Sequence, residues 1–159
     1  MLPAEFRYDP TGLGKATGLL NLSGPAEVRE TVATVENPMA REYARPWRTD
    51  TIEIPLTAAP AAGYDLEYKL RMQAGDTLVY SWTAVDASAD EFYFDFHSES
   101  APAPEVKVAS HRQGTASTAN GSLTAPFDGI HGWYFENQAT KPVVVRLTLA
   151  GFYELPRTD

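Results

Sequence analysis

The chain has 159 residues, a formal net charge of −8, 43% hydrophobic residues and no cysteine. That length suits one ordinary domain with an appendage, and the apolar share supports a packed core. The acidic balance argues against nucleic acid and against charge-driven docking on anionic lipid, while the lack of cysteine excludes disulfides, thiolate metal sites and a cysteine nucleophile.

Residues 1–49 read as an arm or linker. Gly12, Gly14, Gly18 and Gly24, with Pro3, Pro10 and Pro25, interrupt any long periodicity. One short helix is predicted from Pro25 to Glu36. Ser23 or Gly24 caps it, Pro25 suits its first turn, and Val28, Val32 and Val35 share a face before Asn37-Pro38 ends it. Neither a leader peptide nor an apolar run of the ~20 residues that cross a bilayer is legible.

From Thr51 the apolar period becomes two. Ile52, Ile54 and Leu56 share one face, and Leu66, Tyr68, Leu70 and Met72 alternate with Glu67, Lys69 and Arg71. After a Gly75-Asp76 turn, Leu78, Tyr80 and Trp82 line one side of TLVYSWTA. In EFYFDFH, Phe92, Phe94 and Phe96 oppose Tyr93, Asp95 and His97. VKVASH is expected to turn Val106 and Val108 inward, and RQGTASTANGS reads as a small, polar connection. A short strand from Leu123, a turn at Asp128-Gly129, the strand WYFEN and the closing VVVRLTLAGFY complete the pattern. Short strands at such spacing, with almost no helix, predict an all-β antiparallel sandwich over residues 50–156. Trp47, in RPWR just ahead of the first strand, is expected to cover one open edge or end of that sandwich.

The histidines are the first chemical lead. Asp95, His97 and Glu99 are spaced to project from one strand face, and His131 opens the aromatic strand. Convergence of His97 and His131 with these carboxylates would suit Zn²⁺ or Cu²⁺ through nitrogen and oxygen. The competing reading gives both imidazoles backbone hydrogen bonds at the end of the sandwich. Aromatics are the second lead, because Trp82, Trp133, Tyr134, Phe135, Phe152 and Tyr153 can stack on sugars or anchor proteins. Alternation divides them: Trp133 and Phe135 share the face of His131, and Tyr134 faces away with Glu136. Asp128-Gly129 reads as a turn. No nucleophile elbow, phosphate loop or dinucleotide fingerprint is present, Ser110 and His111 point to opposite faces, and the carboxylate spacings do not predict a glycosidase pair.

The end of the chain resembles a GOLD (Golgi-dynamics) β-sandwich, through HGWYFEN, a polar loop and a valine-rich last strand. A closer resemblance is to bacterial "transmembrane anchor" proteins. It rests on Leu2 to Phe6, on Asp9 to Gly12 with Gly14, on Leu66 to Trp82, on Tyr93 to Glu99, on Ala125 to Asn137 and on Gly151 to Tyr153. That resemblance implies a jelly-roll domain, a soluble fragment whose membrane helix preceded Leu2, and a periplasmic location outside the inner membrane. It supplies no catalytic residues.

The resulting expectation is a non-enzymatic, membrane-tethered binding or scaffolding domain without a required cofactor. It would present loops 86–90, 98–104 and 113–121 and the His131–Trp133 turn, with Trp133, Tyr134 and Asp128, to a membrane or periplasmic protein or to a ligand. The alternatives are a Cu or Zn accessory domain through His97 and His131, and a carbohydrate-binding module. The carbohydrate reading requires Trp82 and Trp133 to form an exposed platform.

Overall fold

Period-two alternation builds eight antiparallel strands within residues 40–101 and 104–156, the part of the chain that the computed structural model describes. They are β1 (Arg48–Leu56), β2 (Asp65–Met72), β3 (Thr77–Val85), β4 (Phe92–Ser100), β5 (Val108–Thr115), β6 (Thr118–Thr124), β7 (Gly129–Asn137) and β8 (Val143–Gly151). The helix expected at 25–36, and the arm motifs between Leu2 and Gly14, lie outside the described residues. No helix occurs among the described residues.

The pairing is nested. β5 pairs with β4, β6 with β3, β7 with β2 and β8 with β1. The β3·β8 and β4·β7 ladders then join these pairs into two four-stranded sheets, β1-β8-β3-β6 and β2-β7-β4-β5. A long hairpin rolled up in this way is a jelly roll, one form of the antiparallel sandwich that the strand pattern predicted.

The inner faces meet in an aromatic core. Trp82 contacts Phe92, Phe94 and Phe135, while Phe96 stacks on Trp133 at 4.6 Å and Tyr80 lies edge-on to both. Around them Leu70, Met72, Leu78, Val145, Leu147 and Leu149 are buried. Each such side chain contributes about 1.5–3 kcal/mol by leaving water.

Three expectations change. RQGTASTANGS is not a loop, because it supplies the second half of β5 and most of β6. Each lies at one edge of its sheet, and backbone pairing holds them while only Ala119 and Leu123 of β6 are buried. Val106 and Val108 are 51% and 65% exposed, not inward. Pairing of Val108 with Glu99 puts it on the outer face. Finally, the compact unit begins at Glu42, ahead of residue 50. Tyr43 stacks on Phe152 at 3.9 Å, and Arg45 bridges Asp76 and Glu154. Trp47 sits edge-on to Phe152 and stays 60% exposed.

Candidate functional site

The outer face of the β2-β7-β4-β5 sheet gathers the polar side chains that alternation turns away from the core. β7 is flanked by β2 and β4, and one row of the register runs Lys69, Gly132, His97. Gly132 has no side chain, and a Cβ there would lie 2.1 Å from the Tyr68 carbonyl oxygen. The bare backbone between the two flanking strands lets Lys69 and His97 meet above it.

Lys69 is the centre of this cluster. Its ammonium donates to His97 Nε2 and lies 3.3 Å from Glu99 and 3.9 Å from Glu67. The other ring nitrogen, Nδ1, lies 3.3 Å from Asp95 Oδ2. Glu99 is also 3.0 Å from His97 Nε2. Burial raises the Glu99 carboxyl, but hydrogen bonding and charge from Lys69, then His97, hold it below the ordinary carboxylate range.

Toward the other end of the sheet, Tyr134 is set between Asp65 and Glu136, at 3.1 and 3.0 Å, with the Tyr93 ring edge-on to it. Burial and then these two carboxylates push its phenol up. Past Glu99, a shallow depression of about 200 Å³ is floored by Gly129 and Ile130 and bordered by Arg71 and Ser100. Asp128 borders its neighbour and accepts a 2.7 Å hydrogen bond from the Ala74 amide, tying two turns together.

The inner face holds a separate polar group. His131 and Ser98 are register partners, both fully buried. Ser98 Oγ is 2.6 Å from His131 Nδ1 and 2.6 Å from His111 Nε2. His111 reaches it through a β-bulge: Phe96 pairs with Arg112 and His97 with Ser110, leaving His111 as the extra residue. Burial lowers the affinity of both imidazoles for protons.

These positions correct the expected two-histidine site. His97 is on the outer face with Asp95 and Glu99, where Glu67 joins it: one ligand atom each from Glu67, His97 and Glu99 lie within 4.8 Å of one another. His131 is on the opposite face of the same sheet, because its partner Ser98 points inward where His97 points outward. Trp133 and Trp82 are 0% and 1% exposed, so neither can serve as a sugar platform. Tyr134 is half-buried on the outer face, as alternation predicted. Of the expected loops, 113–121 is largely strand, and 98–100 belongs to β4. Sequence reasoning missed Lys69, Glu67, Ser98 and the role of His111. The polar alternation of β2 signalled the first two, and nothing local signalled the others.

No family model and no curated protein matches the chain. Among solved structures it is similar to a chain of Bacillus endospore appendages, reported as a novel family of disulfide-linked pili. The identity is 16%, over 77% of this chain and 100% of that one, with a TM-score of 0.37. It is also similar to the Drosophila NLP-core, reported for pentamer formation and histone binding. There the identity is 14%, over 65% of this chain and 97% of that one, with a TM-score of 0.28. Likenesses this distant carry no argument about this chain. What fold and site define is a class: an eight-stranded jelly-roll domain with an ordered, charged outer sheet face.

Proposed function

We propose that this is a non-enzymatic binding or scaffolding domain that engages a protein partner through the outer face of the β2-β7-β4-β5 sheet. The observation that carries the reading is pre-organisation. Tyr134 is held by Asp65 and Glu136, His97 by Lys69 and Asp95, and the row continues into the depression beside Arg71 and Gly129. Side chains already fixed lose little rotamer freedom on binding, so such a face recognises a partner at low entropic cost. Tethering to the inner membrane by a preceding helix, with the domain in the periplasm, belongs to the same proposal. It rests on the resemblance of Leu2 to Gly14.

The test compares faces. Tyr93→Ala and Glu136→Lys alter the outer face, and Val79→Lys alters the exposed side of the other sheet, where Val79 is 54% exposed. Co-purification of the complex from native membranes should weaken with the first two variants and survive the third. Equal loss with Val79→Lys, or none with the outer-face pair, would refute the assignment.

A further inference from the structure

The outer face of the β2-β7-β4-β5 sheet is divided by charge along its strands. The register sets Asp65, Glu136 and Tyr93 in one row and Glu67, Tyr134 and Asp95 in the next. To these rows β5 adds only the uncharged Thr115 and Gln113. Carboxylates and tyrosines therefore stand together at this end, and the cations Lys69 and Arg71 come only in the rows beyond. Glu67 and Asp95 lean on those rows, 3.9 Å from Lys69 and 3.3 Å from His97. Among the described residues, no lysine or arginine pairs with Asp65 or Glu136. Their shared donor is the Tyr134 hydroxyl, at 3.1 and 3.0 Å. A phenol has a single proton, so one of the two carboxylates always faces its oxygen acceptor to acceptor.

We propose that this end of the face takes an arginine from a basic segment of the protein partner, an inference that rests on the outer-face reading above. Charge complementarity selects the occupant, because an acidic end attracts a cation and repels a segment of like charge. A guanidinium suits the place better than an ammonium does. It presents five N–H donors in one plane, enough to serve Asp65 and Glu136 together and to give the second carboxylate the donor it lacks. Its flat surface can also lie on Tyr93 or Tyr134, whose rings meet edge-on at 6.3 Å. Asp65, Tyr93, Tyr134 and Glu136 are all half-buried. They are accessible yet partly dried, and charge-assisted bonds are stronger there than in open water. Lys69 and Arg71 repel a second cation, so they also set the direction of the segment. Its charge lies over Asp65 and Glu136, and its uncharged part runs toward the depression at Gly129.

The experiment titrates the full chain with hexa-arginine, hexalysine and hexaglutamate, with affinity read by calorimetry and the site by NMR. Hexa-arginine should bind more tightly than hexalysine, hexaglutamate should not bind, and the largest shifts should fall on Asp65, Tyr93, Tyr134 and Glu136. Asp65→Asn and Glu136→Gln keep shape and remove one charge. Each should weaken hexa-arginine ~10-fold or more, the worth of one charged hydrogen bond. Glu53→Gln, on the other sheet, removes the same charge and should leave the affinity unchanged. Tyr134→Phe frees both carboxylates for the incoming donors while keeping the ring, so affinity should hold or rise. Equal weakening by Glu53→Gln would reduce the effect to net charge and overturn the proposal. Shifts centred elsewhere, or a preference for hexalysine, would overturn it too. If no arginine site appears while co-purification still depends on Tyr93 and Glu136, the outer face keeps its partner and only the arginine chemistry is refuted.

Discussion

Replacing Lys69 with methionine removes the ammonium while keeping most of the apolar stem. Lys69 lies 3.3 Å from Glu99, a separation worth about 5 kcal/mol at an effective dielectric of ~20. Breaking a buried pair costs about 3–5 kcal/mol, because the surviving charge is stranded. The Glu99 side chain is 32% exposed and that of Glu67 54%, so water takes up part of the loss. We expect Lys69→Met to destabilise the domain by about 2 kcal/mol at neutral pH after that screening. The pH dependence has a definite sign. The folded Glu99 carboxyl is held below its unfolded value, so its contribution is present above the unfolded pKa of about 4.3 and is lost as pH falls through the folded one. Urea unfolding of both proteins across pH should therefore show a gap near neutrality that closes at strongly acidic pH. Equal stability at neutral pH, or a gap that ignores pH, would refute the placement of Lys69 at the centre of the cluster.

Gly132→Ala should lose about 3 kcal/mol or more in urea unfolding, since the new Cβ would lie 2.1 Å from the Tyr68 carbonyl oxygen and must push β7 from β2. Trp133→Ala should cost about 3–5 kcal/mol by opening the core, whereas Trp47→Ala, 60% exposed in the native state, should cost less than about 1 kcal/mol by the same assay. Burial, opposed by the Phe127 carbonyl, lowers the proton affinity of His131. The unfolded chain therefore takes up a proton near pH ~6.5 that the folded chain refuses, and stability declines as pH falls below that value. Imidazole resonances followed by NMR should show His131 still neutral where an unfolded histidine is charged.

Much of the architecture was legible because one face of β2, β3 and β4 is apolar. The alternation of Leu66 to Met72, of Leu78 to Trp82 and of Phe92 to Phe96 predicts β2, β3 and β4 and the orientation of His97. β5 and β6 were not legible for the complementary reason. These two strands send few side chains into the core, so VASHRQGT and TANGSLT look like connections until their backbone pairing is known. The outer cluster was half visible: Asp95, His97 and Glu99 share a face by period two, but the arrival of Lys69 depends on a register across Gly132 that local sequence does not encode. The inner group was hidden more deeply. Ser98 meets His131 through that same register, and His111 turns inward only because one extra residue is accommodated in β5. A bulge breaks the alternation from which side-chain direction is inferred, so Ser110 and His111 gave no hint of Ser98 as the partner.

The central claim is that partners are engaged through the outer face of the β2-β7-β4-β5 sheet. Photo-crosslinking in intact cells tests it most directly, with a photoreactive residue placed singly at Tyr93, Glu136, Arg71, Val79 or Val144. Positions 93, 136 and 71 should yield one common crosslinked species, and positions 79 and 144, on the other sheet, should yield none. The same species from positions 79 and 144, with none from 93, 136 and 71, would contradict the account.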